Sequence, residues 1–132
     1  MRIFRVLRTS IKVGDFVKER RRITQKDLDA FSSLTGDYNP LHCQPLPLKS
    51  LVHGAFLNSI VAGLIGTQLP GAGSLVTSQN FSFPSKCFVD DEIEITVEVA
   101  DVRKIIKIKY KCVQNNAVVF EGEARLVMNK SS

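Results

Sequence analysis

The most regular pattern in this chain lies in its second half. Between Glu92 and Val99, Ile93, Ile95, Val97 and Val99 alternate with Glu92, Glu94, Thr96 and Glu98; between Ile105 and Val113, Ile106, Ile108, Tyr110 and Cys112 alternate with Lys107, Lys109 and Lys111. A period of two sends alternate side chains to opposite faces, so both stretches predict strands with one buried and one wet face. Two more strands are predicted, Leu75 to Phe83 and Val118 to Val127, after Gly66, Pro70, Gly71 and Gly73 break the preceding pattern. A hairpin turning at Val102-Arg103 would set Glu98 opposite Lys107 and Glu94 opposite Lys111. Such opposite-charge pairs are worth roughly 0.2–1 kcal/mol each.

The first half has helical spacing. Thr24, with Asp27 three residues on, forms a capping-box pattern, and Leu28, Phe31 and Leu34 follow on what predicts the inner face of a helix from Gln25 to Thr35. Gly36 suits the left-handed residue that ends a helix, and Pro40 disfavours helical geometry at Asn39, so Gly36 to Pro40 is expected to be an ordered turn. A second helix opens at Val52-His53-Gly54 and runs through Ala55, Phe56, Leu57, Ile60, Val61, Leu64 and Ile65. It is apolar on nearly every face, which predicts a buried helix. The expected architecture is an α+β domain, an antiparallel sheet covering that helix, with free sheet edges that suit pairing into a dimer.

Composition narrows the class. The 132 residues are 44% hydrophobic and 23% charged, in the range of folded globular domains and far from disordered or collagen-like chains. The longest apolar stretch, Ala55 to Leu69, is interrupted by Asn58, Thr67 and Gln68 and falls short of the ~20 residues a membrane span needs, so no membrane segment is expected. Cys43, Cys87 and Cys112 are odd in number and lack paired metal-ligand spacing, which predicts free thiols and no metal. The net charge of +5 suits an anionic partner without choosing one. The lysine stripe is balanced by glutamates and lacks interleaved aromatic platforms, so nucleic acid is not expected. Arg20-Arg21-Arg22 reads as a solvated strand end. Met1 to Ser10, with Arg2, Arg5 and Arg8 between apolar residues and no acid, has the composition of a short mitochondrial presequence, or else is a basic terminus or edge strand. Residues 11–130 are expected to form the single domain.

Candidate chemistry gathers at the only two histidines. Asp37 precedes His42 by five residues, and the Gly36 to Pro40 turn can fold them together, although a continuous helix would hold them about 140° apart. An aspartate-histidine pair can hold a water and move protons near neutral pH. The alternative is a turn in which Asp37 bonds only backbone amides while His42 packs passively. His53-Gly54 begins the apolar helix, where the Gly54 N–H, lacking an intrahelical partner, can polarise a carbonyl; here the alternative is an ordinary helix start, with His53 bonding a backbone group.

These segments carry a resemblance. Leu34-Thr35-Gly36-Asp37-Tyr38-Asn39-Pro40-Leu41-His42, then Val52-His53-Gly54, then Gly63 to Gly71 resemble, in consistent order, the MaoC-like, (R)-specific enoyl-CoA hydratases of the hotdog fold, most of all the mitochondrial 3-hydroxyacyl-thioester dehydratases. The resemblance covers about residues 11 to 128. It implies a hotdog homodimer around the apolar helix, Asp37 and His42 as the catalytic pair, Asn39 and His53 as supporting residues, and Gly54 as the donor to the thioester carbonyl. It also implies an acyl-coenzyme A or acyl-carrier-protein substrate, no metal or other cofactor (coenzyme A or pantetheine belongs to the substrate), and a mitochondrial location, with cytoplasmic the alternative. Two positions depart from the family. Only Cys43 to Leu51 join His42 to the Val-His-Gly element, where relatives use a longer segment, and Ala62 stands where some bacterial relatives have serine. The short link leaves open a second function, a catalytically impaired acyl-thioester-binding or interaction domain. A thioesterase is disfavoured because Gly54 to Ile65 contains no carboxylate, and a serine hydrolase because no G-x-S-x-G elbow is present.

Overall fold

A computed structural model describes residues 11–129, so the expectations for Met1 to Ser10 lie outside the described residues. Five strands, β1 (Phe16–Arg21), β2 (Ser74–Ser82), β3 (Ile93–Asp101), β4 (Ile106–Gln114) and β5 (Ala117–Met128), make one antiparallel sheet in the order β1-β3-β4-β5-β2. Helix α1 (Gln25–Thr35) follows β1, and helix α2 (Gly54–Thr67) packs on the sheet. This is the α+β hotdog arrangement that the resemblance implies. No helix among the described residues is long and apolar enough to cross a membrane.

The alternating positions behave as their period requires. Ile93, Ile95, Val97, Val99, Ile108 and Cys112 have no exposed surface, and they pack with Leu57, Val61 and Leu64 of α2 in one core. On the outer face the charges interleave, but two residues out of the expected register. Glu98 lies opposite Lys109, Thr96 opposite Lys111 and Asp101 opposite Lys107. The connection is longer than the tight turn expected at Val102-Arg103, and a bulge between Val99 and Asp101 absorbs the irregularity. A shift of two residues keeps each side chain on its face, so alternation alone does not fix it. Lys109 also faces Glu123 of β5, and Arg20 of the Arg20 to Arg22 run reaches Glu94 at 3.4 Å.

Two helical expectations need correction. Leu34 is 83% exposed, and Ser32 is buried in its stead. At about 100° per residue, Ser32 lies some 40° from Leu28 around the helix and Leu34 some 120° away, so only Ser32 shares the inward stripe. Helix α2 is not buried all round. Leu57, Ile60, Val61, Leu64 and Ile65 face the core, while Ala55, Ser59, Ala62, Gly63 and Gly66 face outward. That outer face is made of small residues, which a hydrophobicity pattern counts as apolar although they leave the helix surface open.

Candidate active site

The turn that carries Asp37 is prescribed locally. The capping box closes the start of α1, with the Asp27 N–H bonded to Thr24 Oγ1 at 3.2 Å and the Thr24 N–H to Asp27 Oδ2 at 2.9 Å. Gly36 ends the helix at φ 81°, a left-handed conformation that glycine adopts without Cβ strain. Asp37 Oδ1 then accepts the Asn39 N–H at 3.2 Å, and Asn39 Oδ1 accepts the Leu41 N–H at 3.0 Å. Asn39 thus caps a 3-10 turn, Pro40–His42, that presents the histidine. One carboxylate oxygen of Asp37 makes this Asx turn, and the other, Oδ2, lies 3.9 Å from His42 Nε2.

The nine-residue link closes without displacing His42 from the start of α2. Leu51 N–H donates to Leu41 O at 2.8 Å, Gln44 N–H to the buried Ser50 Oγ at 2.8 Å, and Gln25 Nε2 to His42 O at 2.9 Å. Val52 N–H is in turn held by Cys87 O at 2.8 Å. The His42 ring consequently stacks on His53, centroids 3.6 Å apart and planes 16° apart, immediately before Gly54.

The hydrogen bonds determine what His42 can do. Its Nδ1 lies 2.7 Å from Leu51 O. A carbonyl only accepts, so Nδ1 carries the proton, and in the neutral ring Nε2 is a bare acceptor turned toward Asp37. His53 is 2% exposed, with Nε2 3.0 Å from Ser32 Oγ. Burial, then the neighbouring His42, push its pKa below the ordinary imidazole value of 6.5, against an opposing pull from Asp37. Asp37, His42 and His53 offer potential metal-ligand atoms within 4.8 Å of one another. Lone pairs of stacked rings run side by side in the ring planes, however, so sharing one ion would require a ring to leave the stack.

Gly54 is the first residue of α2, and the earliest helical amides bonded to His53 O are those of Phe56 and Leu57. A Cβ at Gly54 would fall 2.7 Å from the Phe83 ring, which makes glycine necessary for this packing. Phe83 was not singled out as a site neighbour in the sequence, and neither were Ser32 and the Leu51 carbonyl. The Leu28-Ser32 spacing was the one available sign of Ser32; a backbone acceptor such as Leu51 O leaves none.

A five-stranded antiparallel sheet packed on a helix defines a hotdog-fold protein, here with an aspartate and a histidine gathered at the residue that precedes that helix. The chain belongs to the MaoC like domain family, whose model matches residues 11–120. It is 38% identical over 101 residues to the "(R)-specific enoyl-CoA hydratase" of Aeromonas caviae, covering 72% of this chain and 75% of that protein. It is 32% identical over 134 residues to the mitochondrial 3-hydroxyacyl-[acyl-carrier-protein] dehydratase of Arabidopsis thaliana, covering 92% and 80%. Among solved structures, an (R)-hydratase from A. caviae involved in PHA biosynthesis superposes with TM-score 0.84 at 33% identity, covering 92% of this chain and 99% of that one. An R-hydratase from Pseudomonas aeruginosa gives TM-score 0.82 at 22% identity, covering 92% and 84%, a likeness of fold.

Proposed function

We propose that this protein is a hydro-lyase that interconverts trans-2-enoyl thioesters and (3R)-3-hydroxyacyl thioesters, with Asp37 and His42 as its acid-base pair. One observation carries the assignment: two acceptors, Asp37 Oδ2 and the bare His42 Nε2, lie 3.9 Å apart. That separation is too long for a direct hydrogen bond and suits a water bonded to both at about 2.8 Å. Between two acceptors the water donates both protons, leaving its lone pairs directed outward at the substrate.

The reaction follows from that placement. As the water oxygen bonds C3 of the enoyl thioester, one water proton passes to His42 Nε2 and the C2–C3 π electrons move onto the thioester oxygen. The Gly54 N–H, at the positive end of α2, stabilises that enolate. The imidazolium then returns its proton to C2 on the same face, completing syn addition of one water, and dehydration runs the same steps backward. Asn39 holds the loop and His53 supports the His42 ring. The coenzyme A or carrier pantetheine belongs to the substrate, and this route requires no metal.

The names of the relatives favour this class, and those from Arabidopsis and tomato favour mitochondrial fatty-acid synthesis as the setting. The exposed small-residue face of α2 and the free edge of β2 suit a homodimer, which sedimentation would reveal as twice the 14.7 kDa chain mass.

The test adds a trans-2-enoyl-CoA to the purified chain, follows the enoyl absorbance and resolves the products by chromatography. Loss of the band with formation of the (3R)-hydroxy thioester is expected. Release of free coenzyme A would indicate a thioesterase. Neither product from a folded protein would leave an acyl-thioester-binding domain, the second function that the short Cys43–Leu51 link raised.

A further inference from the structure

The apolar stripe on the inner face of β4 ends on a polar residue. Period two places Gln114 in line with Ile106, Ile108, Tyr110 and Cys112, and it is 3% exposed, opposite Ile93 of β3. A buried carboxamide is costly unless its oxygen and its nitrogen are both bonded, and here they are. Gln114 Oε1 accepts the Phe88 N–H at 2.9 Å, while Nε2 donates to Phe88 O at 2.8 Å and to Asp91 O at 3.1 Å. The side chain thus gives Phe88 the acceptor and the donor that a neighbouring strand would give, and this pairing fixes which end of the amide is nitrogen.

Phe88 leads to the site. It lies opposite Leu51 in a short antiparallel ladder, closed by Val52 N–H to Cys87 O at 2.8 Å and by Val89 N–H to Ser50 O at 3.1 Å. In such a pair the two residues are not bonded to each other, so each turns its own N–H and C=O to the outer edge of its strand. On one edge Phe88 meets Gln114. On the other, Leu51 donates to Leu41 O at 2.8 Å, and its carbonyl accepts the His42 Nδ1 proton at 2.7 Å. Fixed peptides therefore run without a break from the end of β4 to the His42 ring.

We infer that Gln114 is a positioning residue for His42: its carboxamide closes one edge of the ladder of residues 50–52 and 87–89, and so holds the Leu51 carbonyl that orients the histidine on the other edge. Without those bonds the part-buried Phe88 N–H and C=O lose their partners, and the ladder must shift to find new ones. The Leu51 peptide moves with it, and the ring that hangs on its carbonyl turns Nε2 from Asp37. The consequence for rate rests on the hydratase reading above; the consequence for the ring does not.

Gln114→Met keeps an unbranched side chain and removes its hydrogen bonds. With two histidines in the chain, 15N spectra recorded near pH 8, with a His42→Gln variant for assignment, read the tautomer of each ring. The parent His42 is expected to be protonated at Nδ1 and bare at Nε2, because the Leu51 carbonyl only accepts. Gln114→Met should mix the His42 tautomers and lower kcat about 10-fold, with KM within about two-fold, since a displaced base loses rate without losing substrate. Added to His42→Ala, it should lower the residual turnover by less than about two-fold, because both changes act on one group. A folded Gln114→Met with the parent's His42 tautomer overturns the inference, and so does a full 10-fold loss in the absence of His42. Should Gln114→Met not fold, native-state hydrogen exchange of the parent decides. The Phe88 N–H is expected to open together with those of Leu51, Val52 and Val89, and a freely exchanging Phe88 N–H overturns the role of Gln114. A parent without hydratase turnover removes the hydratase reading and the rate effects with it, leaving the tautomer and the exchange to judge Gln114.

Discussion

Across β3 and β4, Ile93, Ile95, Val97, Val99, Ile108 and Cys112 expose no surface, whereas between Gly36 and Leu51 only Ser50 is buried. The strands are held by apolar burial, which is undirected and tolerant of which apolar residue supplies it. The segment is held by directed bonds: an Asx turn at Asp37, an asparagine cap at Asn39, and bonds to the Leu51 backbone from the Leu41 carbonyl and the His42 ring. Stability therefore resides mainly in one region and the proposed chemistry in the other. Proton transfer needs atoms fixed to a fraction of an ångström, which directed bonds supply and burial alone does not.

The sharpest test of this division is in the segment. Asp37→Asn and His42→Ala should each lower turnover by about 10³-fold, the usual range for loss of a general acid-base group. Both side chains lie outside the apolar core, so the urea midpoint of each variant should stay near the parent's. Near-parent activity in either purified variant would refute the roles assigned here. The converse test is in the strands. Ile95→Ala should cost about 2–5 kcal/mol, measured by urea denaturation, because a fully buried residue leaves a cavity behind. Its kcat should be unchanged under conditions where it remains folded. Loss of kcat in a fully folded Ile95→Ala would mean that the two regions are not separate.

The same contrast explains what the sequence disclosed. Ile93 to Val99 and Ile106 to Cys112 are legible because period two is a global geometric constraint, repeated at every pair. The register of their hairpin is not, since a two-residue shift returns every side chain to its own face and the bulge at Val99/Asp101 has no compositional signature. Helix α1 could be bounded from Thr24, Asp27 and Gly36 because its caps are chemical. Its inner face was misread at Leu34, where a serine and not a leucine completes the stripe. Asp37, His42 and Gly54 could be nominated from turn chemistry and from the family resemblance. Their mutual placement could not, for it depends on the Leu51 carbonyl and on ring stacking, neither of which a residue name records.

A pH effect joins the two regions through His53, which sits under the segment but is buried like the core. Its folded pKa lies below the ordinary 6.5, so the unfolded chain binds the proton more readily. Stability from this group is complete above pH 6.5 and is lost as pH falls through 6.5 toward the folded value. The thermal midpoint should accordingly drop between about pH 7.5 and about pH 5.5, and His53→Gln should flatten that part of the slope. An unchanged slope in the variant would show that His53 titrates alike in both states.

The smallest effect expected, and the one that reports most locally, is thiol reactivity. Cys43 is exposed in the segment, while burial pushes Cys87 and Cys112 of the core up to about 12. Since the thiolate is the reacting form, only about 10⁻⁴ of either buried thiol is ionised near pH 8, even before access is considered. A disulfide reagent should therefore titrate one thiol rapidly in the native protein and all three after denaturation. Cys87 gives this measurement its resolution. Its carbonyl holds the Val52 N–H at the entry to α2, so its slow labelling counts the openings of the seam between core and site. If Cys87 reacts at the rate of Cys112, the seam opens only when the core does, and the start of α2 is as rigid as the strands. If Cys87 reacts much faster, the helix that carries Gly54 detaches on its own, and the acid-base pair works beside a mobile carbonyl donor.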